Sequence, residues 1–360
     1  MINLKRNVIK VKYCIQLSNG RRLGGGAPCL LIAEVGINHN GDFDLACRSI
    51  REAALAGADA VKFQNYQTED FVTDGELSLT YTSQGKEVTE SQYDLFKRCE
   101  VPAEWLPKLA QVCRDEGVLF LSTPTSRQGV EELVACGVTM MKNGSDFLQN
   151  TLLLEAMAAT GLPTMISTGM ATEAEIRHSL NAYHAAGGKN PILLVCTSTY
   201  PTPEAEANLK RLLRMREVFD VATGFSDHTK GSDAAALSVA LGGCVIEKHF
   251  TVDRNLPGPD HWFSSDPAEF KELVERVRAA EVLIGQGDIE PQASEINSRR
   301  DARLSCTSAR DLEAGTLLTK EHIIFRRPGT GIPPTEVDFL IGKMLKTEMK
   351  KHTVIMPEYV

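Results

Sequence analysis

The sequence predicts an α/β protein: a (β/α)8 TIM barrel with an N-terminal β-hairpin and a small C-terminal domain. Three observations carry this. Eight short runs rich in Val, Ile and Leu recur along the first 285 residues, amphipathic stretches separate them, and the composition changes near residue 286. The runs are LLIAEVG (30–36), DAVKFQ (59–64), VLFLST (118–123), VTMMKNG (138–144), PTMIST (163–168), PILLVC (191–196), VATGFSD (221–227) and CVIEKHF (244–250). Near-continuous apolar strands imply a sheet buried on both faces, and strand–helix alternation makes it parallel. The intervening stretches, such as 43–58, 103–117 and 172–188, mostly end at Gly, the residue that best takes a helix's left-handed C-terminal turn. Eight such units in this length fit a closed barrel; an open doubly wound sheet is the structural rival.

Residues 1–28, with turn signals at Ser18-Asn19-Gly20 and Gly24-Gly25-Gly26, read as a hairpin ahead of the barrel, which spans 1–285. Thr68 to Arg98 is too long for an ordinary strand–helix connection, which suggests function. Residues 286–302 are polar and read as a linker, and 303–360 form a unit of short strands and turns. That unit is small enough that it should dock on something.

The net charge of −8 and pI near 5.6 argue against a nucleic-acid or membrane-surface partner. No apolar run is long enough to span a membrane, and the N-terminus lacks the pattern of a signal peptide. Nine scattered cysteines without a CxxC pair form neither a disulfide framework nor a zinc site. Reduced, buried thiols in a cytoplasmic protein are the simplest account.

Chemistry in such barrels sits at the C-terminal ends of the strands, and these ends are polar here. Strand one carries Glu34, then Asn38 and His39; strand two has Lys62 and Gln64 on one face with Phe63 turned away. Ser122 and Thr123 end strand three, Lys142 and Ser145 mark strand four, and Ser167 and Thr168 end strand five. Thr197, Ser198 and Tyr200 follow strand six, and Ser226, Asp227 and His228 end strand seven. Strand eight offers Glu247 and His249 together, with Lys248 turned away. A single Lys near a strand end is usually salt-bridged or snorkelling, and a lone His is usually a core residue. Coincidence alters that reading, because buried charges are costly unless paired or liganded. Glu34, Lys62, Lys142 and Glu247 at one level point to a shared catalytic site.

His228 and His249 end neighbouring strands and can converge on one ion, with Glu34 and Glu247 beside it. Two imidazoles plus oxygen ligands suit Mn²⁺ or a similar divalent ion; substrate hydrogen-bonding without metal is the alternative. His178, His184, His322 and His352 read as surface residues. Lys62, Thr123, Lys142, Ser145, Ser167 and Ser226 supply the donors a phosphate needs, whereas no Walker or Rossmann fingerprint calls for ATP or NAD.

Together IAEVGINHNG (32–41), VKFQ (61–64), FLSTP (120–124), STGM (167–170), CTSTYPTP (196–203), GFSDHT (224–229), IEKHFT (246–251), PGPDH (257–261) and RRPGTG (326–331) resemble the sialic acid synthase family. The resemblance runs from about residue 30 to the end. It implies condensation of phosphoenolpyruvate with N-acetylmannosamine or a related 2-acetamido hexose, releasing phosphate. Legionaminic acid synthases, which take a 2,4-diacetamido hexose, are close competitors. It also implies an antifreeze-like (SAF) domain at 303–360 that covers the barrel mouth of the partner in a domain-swapped homodimer.

Carried over by position, His228 and His249 would hold the ion, Mn²⁺ with Mg²⁺ or Co²⁺ as substitutes, acting as a Lewis acid on the sugar aldehyde. Lys62, Thr123, Lys142, Ser145, Ser167 and Ser226 would hold phosphoenolpyruvate. Gln64, Tyr200, Asp260 and Glu247 would surround the sugar, Glu34 would handle protons, and Arg327 would reach into the neighbour's site to bind the acetamido group. Ser198, Asp146-Phe147 and Glu87 depart from the family pattern near the sugar end and bear on which hexose is used. Rival readings are a Schiff-base aldolase using Lys62 or Lys142, and a non-enzymatic ice- or carbohydrate-binding module.

Overall fold

The computed structural model describes residues 13–73 and 77–360. The hairpin expected at the N-terminus pairs β1 (Cys14–Gln16) with β2 (Arg22–Gly24), antiparallel; residues 1–12 of the expected segment lie outside the described residues. The predicted strands follow as β3 (Leu30–Gly36), β4 (Ala60–Asn65), then, after an inserted hairpin of β5 (Ser78–Ser83) and β6 (Lys86–Ser91), β7 (Leu119–Pro124). β8 (Met141–Asn143), β9 (Thr164–Ser167), β10 (Ile192–Cys196), β11 (Ala222–Asp227) and β12 (Val245–His249) complete the set. The eight long-range strands form one parallel sheet in the order β7-β4-β3-β12-β11-β10-β9-β8. β7 and β8, at its two ends, pack side by side to close the barrel.

Alternation along each strand builds two apolar layers. Outward residues such as Leu31, Val61, Phe120, Ile166, Leu193 and Ile246 pack under the helices. Inward residues such as Ile32, Ala60, Leu121, Met165, Leu194 and Val245 fill the barrel floor, where Ile15, Leu17 and Leu23 of the hairpin join them. The hairpin therefore plugs the barrel and leaves only the opposite end open. Helices start just beyond the strands, where side chains satisfy the free N–H groups of the first turn. Asp42 Oδ1 accepts from Asp44 and Leu45, Ser126 Oγ from Gly129, and Thr172 forms a capping box with Glu175.

The long 68–98 connection is ordered by β5 and β6, whose two-residue loop, Gln84-Gly85, has both φ angles positive, +51° and +73°. That is the geometry a right-twisted hairpin prefers. Its tip is tied to the loop after β12, with Gly258 N–H donating to Ser83 Oγ and Gln84 Nε2 donating to the Asn255 carbonyl.

The chain divides at Gly285 into two compact units. The second, 286–360, has its own core of Cys306, Leu318, Leu340, Leu345 and Ile355 beneath β13 (Ser305–Ser308) and β14 (Ile323–Arg326). Two expectations need correction there. The stretch read as a linker carries a helix, Ile296–Ala302, whose Arg300 carbonyl accepts from Gly329 N–H. It has no apolar face, so periodicity could not reveal it. His322 is buried, not a surface residue: Nδ1 accepts from Thr319 N–H and Nε2 meets the Arg310 guanidinium.

Candidate active site

The next inward position above the apolar floor is polar on nearly every strand. Glu34, Lys62, Thr123, Lys142, Ser167, Cys196, Ser226 and Glu247 each follow an inward apolar or small residue by two. They line one cavity of about 330 Å³ at the C-terminal mouth. Strand register then pairs them: Glu34 lies beside Lys62, Gln64 beside Thr123, and Ser226 beside Glu247. A bulge in β3 between Glu34 and Gly36 shifts its register, so that Gly36 lies beside Phe63. At Gly36 φ is +53°, and a Cβ would approach Glu34 Oε1 to 3.2 Å and Gln64 Nε2 to 3.3 Å.

Lys62 is the hub. Its ammonium is 2.7 Å from Glu34 Oε2 and 3.7 Å from Glu247 Oε2, and donates to Thr123 Oγ1 at 2.8 Å. Lys142 lies 3.6 Å from Glu247 Oε1, which also accepts from Ser226 Oγ at 3.0 Å. These groups are almost wholly enclosed, so each charge depends on the others. The two carboxylates are thereby made different. Burial raises Glu34 to about 7, against the opposing pull of Lys62. Glu247 is just as buried, yet Lys142, Lys62 and the Ser226 hydroxyl hold it at about 2. Carboxyls driven in opposite directions by their surroundings can divide into a proton carrier and a fixed anion.

His228 and His249 stand at the ends of β11 and β12 with ring centroids 5.6 Å apart. His228 Nδ1 donates to the Thr197 carbonyl at 2.8 Å, which fixes its ring and leaves Nε2 toward Ser226 Oγ, 3.4 Å away. His249 Nδ1 is buried without a hydrogen-bond partner, 3.8 Å from Asp260 Oδ2. Burial, reinforced by His228, lowers the His249 pKa well below the ordinary histidine range, so the ring keeps its lone pair. Tyr200 stacks on His228 at 4.1 Å, and Phe263 packs on both Tyr200 and His249. This donor set fits a divalent ion held by two imidazoles with its other positions open to oxygen. Among the described residues no three His, Cys, Asp or Glu side chains converge as a preformed cage. Glu34 and Glu247, expected beside the ion, are engaged by the lysines, and Asp260 is the carboxylate nearest His249.

The remaining candidates divide. Ser145, Gln64, Tyr200, Asp146 and Ser198 all line the cavity, and Gln64 Nε2 donates to Glu34 Oε1 at 3.3 Å. Glu87 does not: it is exposed on β6. Arg327 is exposed on the second unit, immediately after β14. Lys248 and Asp227 point outward, as alternation requires, and pair at 2.9 Å beneath the helices. Cys196 escaped the sequence reading because its LLVC context suggested core. Its position two after inward Leu194 was the available signal. Its thiol lies 3.8 Å from His228 Nδ1.

The outer cavity wall is apolar. Ile37, Phe71, Leu79, Phe96, Phe147 and Met170 line it, several from the inserted 68–98 segment.

Comparison with known proteins agrees with this architecture. The NeuB family model matches residues 49–289, and the SAF domain model matches 305–360. The N,N'-diacetyllegionaminic acid synthase of Legionella pneumophila is 37% identical over 94% of this chain and 96% of its own. That of Campylobacter jejuni is 34% identical over 91% and 98%. The crystal structure of the N-acetylneuraminic acid (sialic acid) synthetase of Leptospira borgpetersenii, in complex with citrate, superposes with a TM-score of 0.71. It has 35% identity, covering 79% of this chain and 95% of that one. With both models matched in order and full-length relatives of this similarity, the chain belongs to the NeuB family of sialic-acid-type synthases and carries a C-terminal SAF domain.

Proposed function

We propose that this synthase condenses phosphoenolpyruvate with a 2-acetamido hexose, using a divalent ion, probed best as Mn²⁺. The observation that carries the reading is the enclosed Lys62–Glu34–Glu247–Lys142 layer beside two convergent imidazoles. The lysines, with Thr123, Ser145, Ser167 and Ser226, form the phosphoenolpyruvate end. Bound at His228 and His249, the ion supplies Lewis acidity to the open-chain sugar aldehyde. Gln64, Tyr200 and Asp260 orient the sugar so that its C1 faces C3 of phosphoenolpyruvate. When the C1–C3 bond forms, C2 becomes electron-poor and takes up water. Glu34, poised near neutrality, receives one proton of that water and returns it to the former aldehyde oxygen, which becomes a hydroxyl, while the proton left on the C2 hydroxyl departs with phosphate. The C2–O bond to phosphate then breaks, and Lys62 and Lys142 stabilise the departing anion.

The apolar outer wall favours a particular sugar. A second acylated amine or a deoxy carbon gains from burial against Phe71, Phe96 and Phe147, whereas ring hydroxyls there lose water without replacement. The lysines lining the cavity, among the described residues, are Lys62 and Lys142 in the deep layer, so the chain's own lining offers a 6-phosphate no ammonium at the outer end. A panel of N-acetylmannosamine, its 6-phosphate and a 2,4-diacetamido hexose, read by mass spectrometry of the acid product, tests this. The 2,4-diacetamido hexose should give the highest kcat/KM, by about tenfold, the worth of roughly 1.4 kcal/mol of apolar burial. Preference for the 6-phosphate would refute this account of the wall.

Arg327 is assigned to the acetamido group of the sugar held by a partner copy. Arg327→Ala and Lys62→Ala chains, each inactive alone, should regain activity when mixed, because one of the two mouths in the heterodimer is then intact. Absence of any regain counts against action in trans.

A further inference from the structure

We infer that Gly169 is a positioning residue that sets the shape of the phosphate cradle, by leaving the space in which the Ser145 and Ser198 hydroxyls meet. The inference rests on the phosphoenolpyruvate reading above and identifies which residue makes its phosphate end possible.

Gly169 follows β9 and is buried. A Cβ placed on it would lie 2.3 Å from Ser198 Oγ, 2.8 Å from Ser145 Oγ and 3.1 Å from Ser145 Cβ. The first two distances are far inside van der Waals contact. Its φ is outside the left-handed region, so the backbone itself would accept an L residue. The constraint on a larger residue here is therefore steric and falls on the two serine hydroxyls, which would have to turn from these positions.

Its amide has a second effect. Gly169 N–H donates to Ser145 Oγ at 3.0 Å. With a lone pair occupied, that hydroxyl is free to turn its own hydrogen elsewhere. It also lies against the Cys196 sulfur, a weak acceptor that a phosphate oxygen would displace. Ser167 Oγ, two residues before Gly169, is buried and has no partner. Ser145, Ser167 and Ser198 line the same cavity as Lys142. One is orphaned and one is oriented by the Gly169 amide, which is how a fold prepares donors for an anion before it arrives.

The test uses Gly169→Ala, Ser198→Ala and the double variant in the full-length chain. Phosphoenolpyruvate binding is measured by calorimetry, and KM for each substrate by phosphate release. Gly169→Ala should weaken phosphoenolpyruvate binding by at least tenfold and raise its KM by more than that of the sugar. Ser198→Ala alone should cost only a few-fold. The double variant should bind more tightly than Gly169→Ala, because the closer of the two clashes, with Ser198 Oγ, is gone while that with Ser145 remains. If Gly169→Ala does not fold, the same rescue is read as recovery of folding and binding in the double variant. Native-like binding by Gly169→Ala would overturn the inference, as would a loss that Ser198→Ala fails to relieve. An unaltered chain that neither binds phosphoenolpyruvate nor releases phosphate from it would overturn the underlying reading instead.

Discussion

Lys62→Met is expected to lower kcat/KM for phosphoenolpyruvate by about 10²–10³-fold, the usual cost of losing one preorganised donor at a developing anion. Methionine keeps the unbranched length of the side chain, so the loss tests charge and not packing. Lys62 pairs with Glu34 at 2.7 Å, lies 3.7 Å from Glu247 and donates to Thr123, so no neighbour can take its place. The change should also move the pH profile. Burial already raises Glu34 to about 7, and Lys62 is what restrains the rise. Without the ammonium the carboxyl holds its proton to higher pH, and the limb that needs ionised Glu34 shifts to the alkaline side. Steady-state phosphate release from pH 6 to 9, with melting curves to confirm the fold, checks both effects. A variant that keeps a third of native activity with an unmoved profile would remove Lys62 from its assigned role. Borohydride with pyruvate should leave the native chain unmodified; covalent trapping would favour a Schiff-base lysine.

The second large effect is expected from His249→Ala. This ring brings a buried nitrogen with no hydrogen-bond partner, an arrangement that costs stability unless something occupies it. Its removal should weaken Mn²⁺ binding by more than about 100-fold, exceeding the effect of losing a residue that merely supports a ligand. Activity should fall with it. The barrel should remain folded, since His249 is at the mouth and the apolar floor beneath Glu247 is untouched. Free Mn²⁺ measured by electron paramagnetic resonance separates binding from turnover. Unchanged Mn²⁺ affinity in this variant would rule out His249 as a ligand.

Much of the barrel was legible because burial on both faces writes each strand as an apolar run, and alternation then says which side chains point inward. Lys62 and Glu247 could be placed facing one cavity because Phe63 and Lys248 must point away. Three kinds of feature escaped. Cys196 is chemically ambiguous, so its inward position had to outweigh its apolar context. The helix Ile296–Ala302 has no apolar stripe and is held by the Arg300 carbonyl contact with Gly329, which local sequence does not encode. His322 is buried through Arg310 and Thr319, a pairing that only the fold brings about. The lysine partners of Glu34 and Glu247 went unread for a related reason. Strand order places both carboxylates near the imidazoles, but side-chain reach and the 2.7 Å contact with Lys62 decide where Glu34 turns. The steric role inferred for Gly169 likewise depends on two serines from the loops after β8 and β10.

The most direct test of the condensation is to supply phosphoenolpyruvate carrying ¹⁸O in the bridging oxygen between C2 and phosphorus, together with Mn²⁺ and the preferred acetamido hexose. Attack through C3 with water entering at C2 predicts that the label leaves with inorganic phosphate, one phosphate per acid formed. Label retained in the acid, or phosphate released at the same rate without any sugar, would contradict the account.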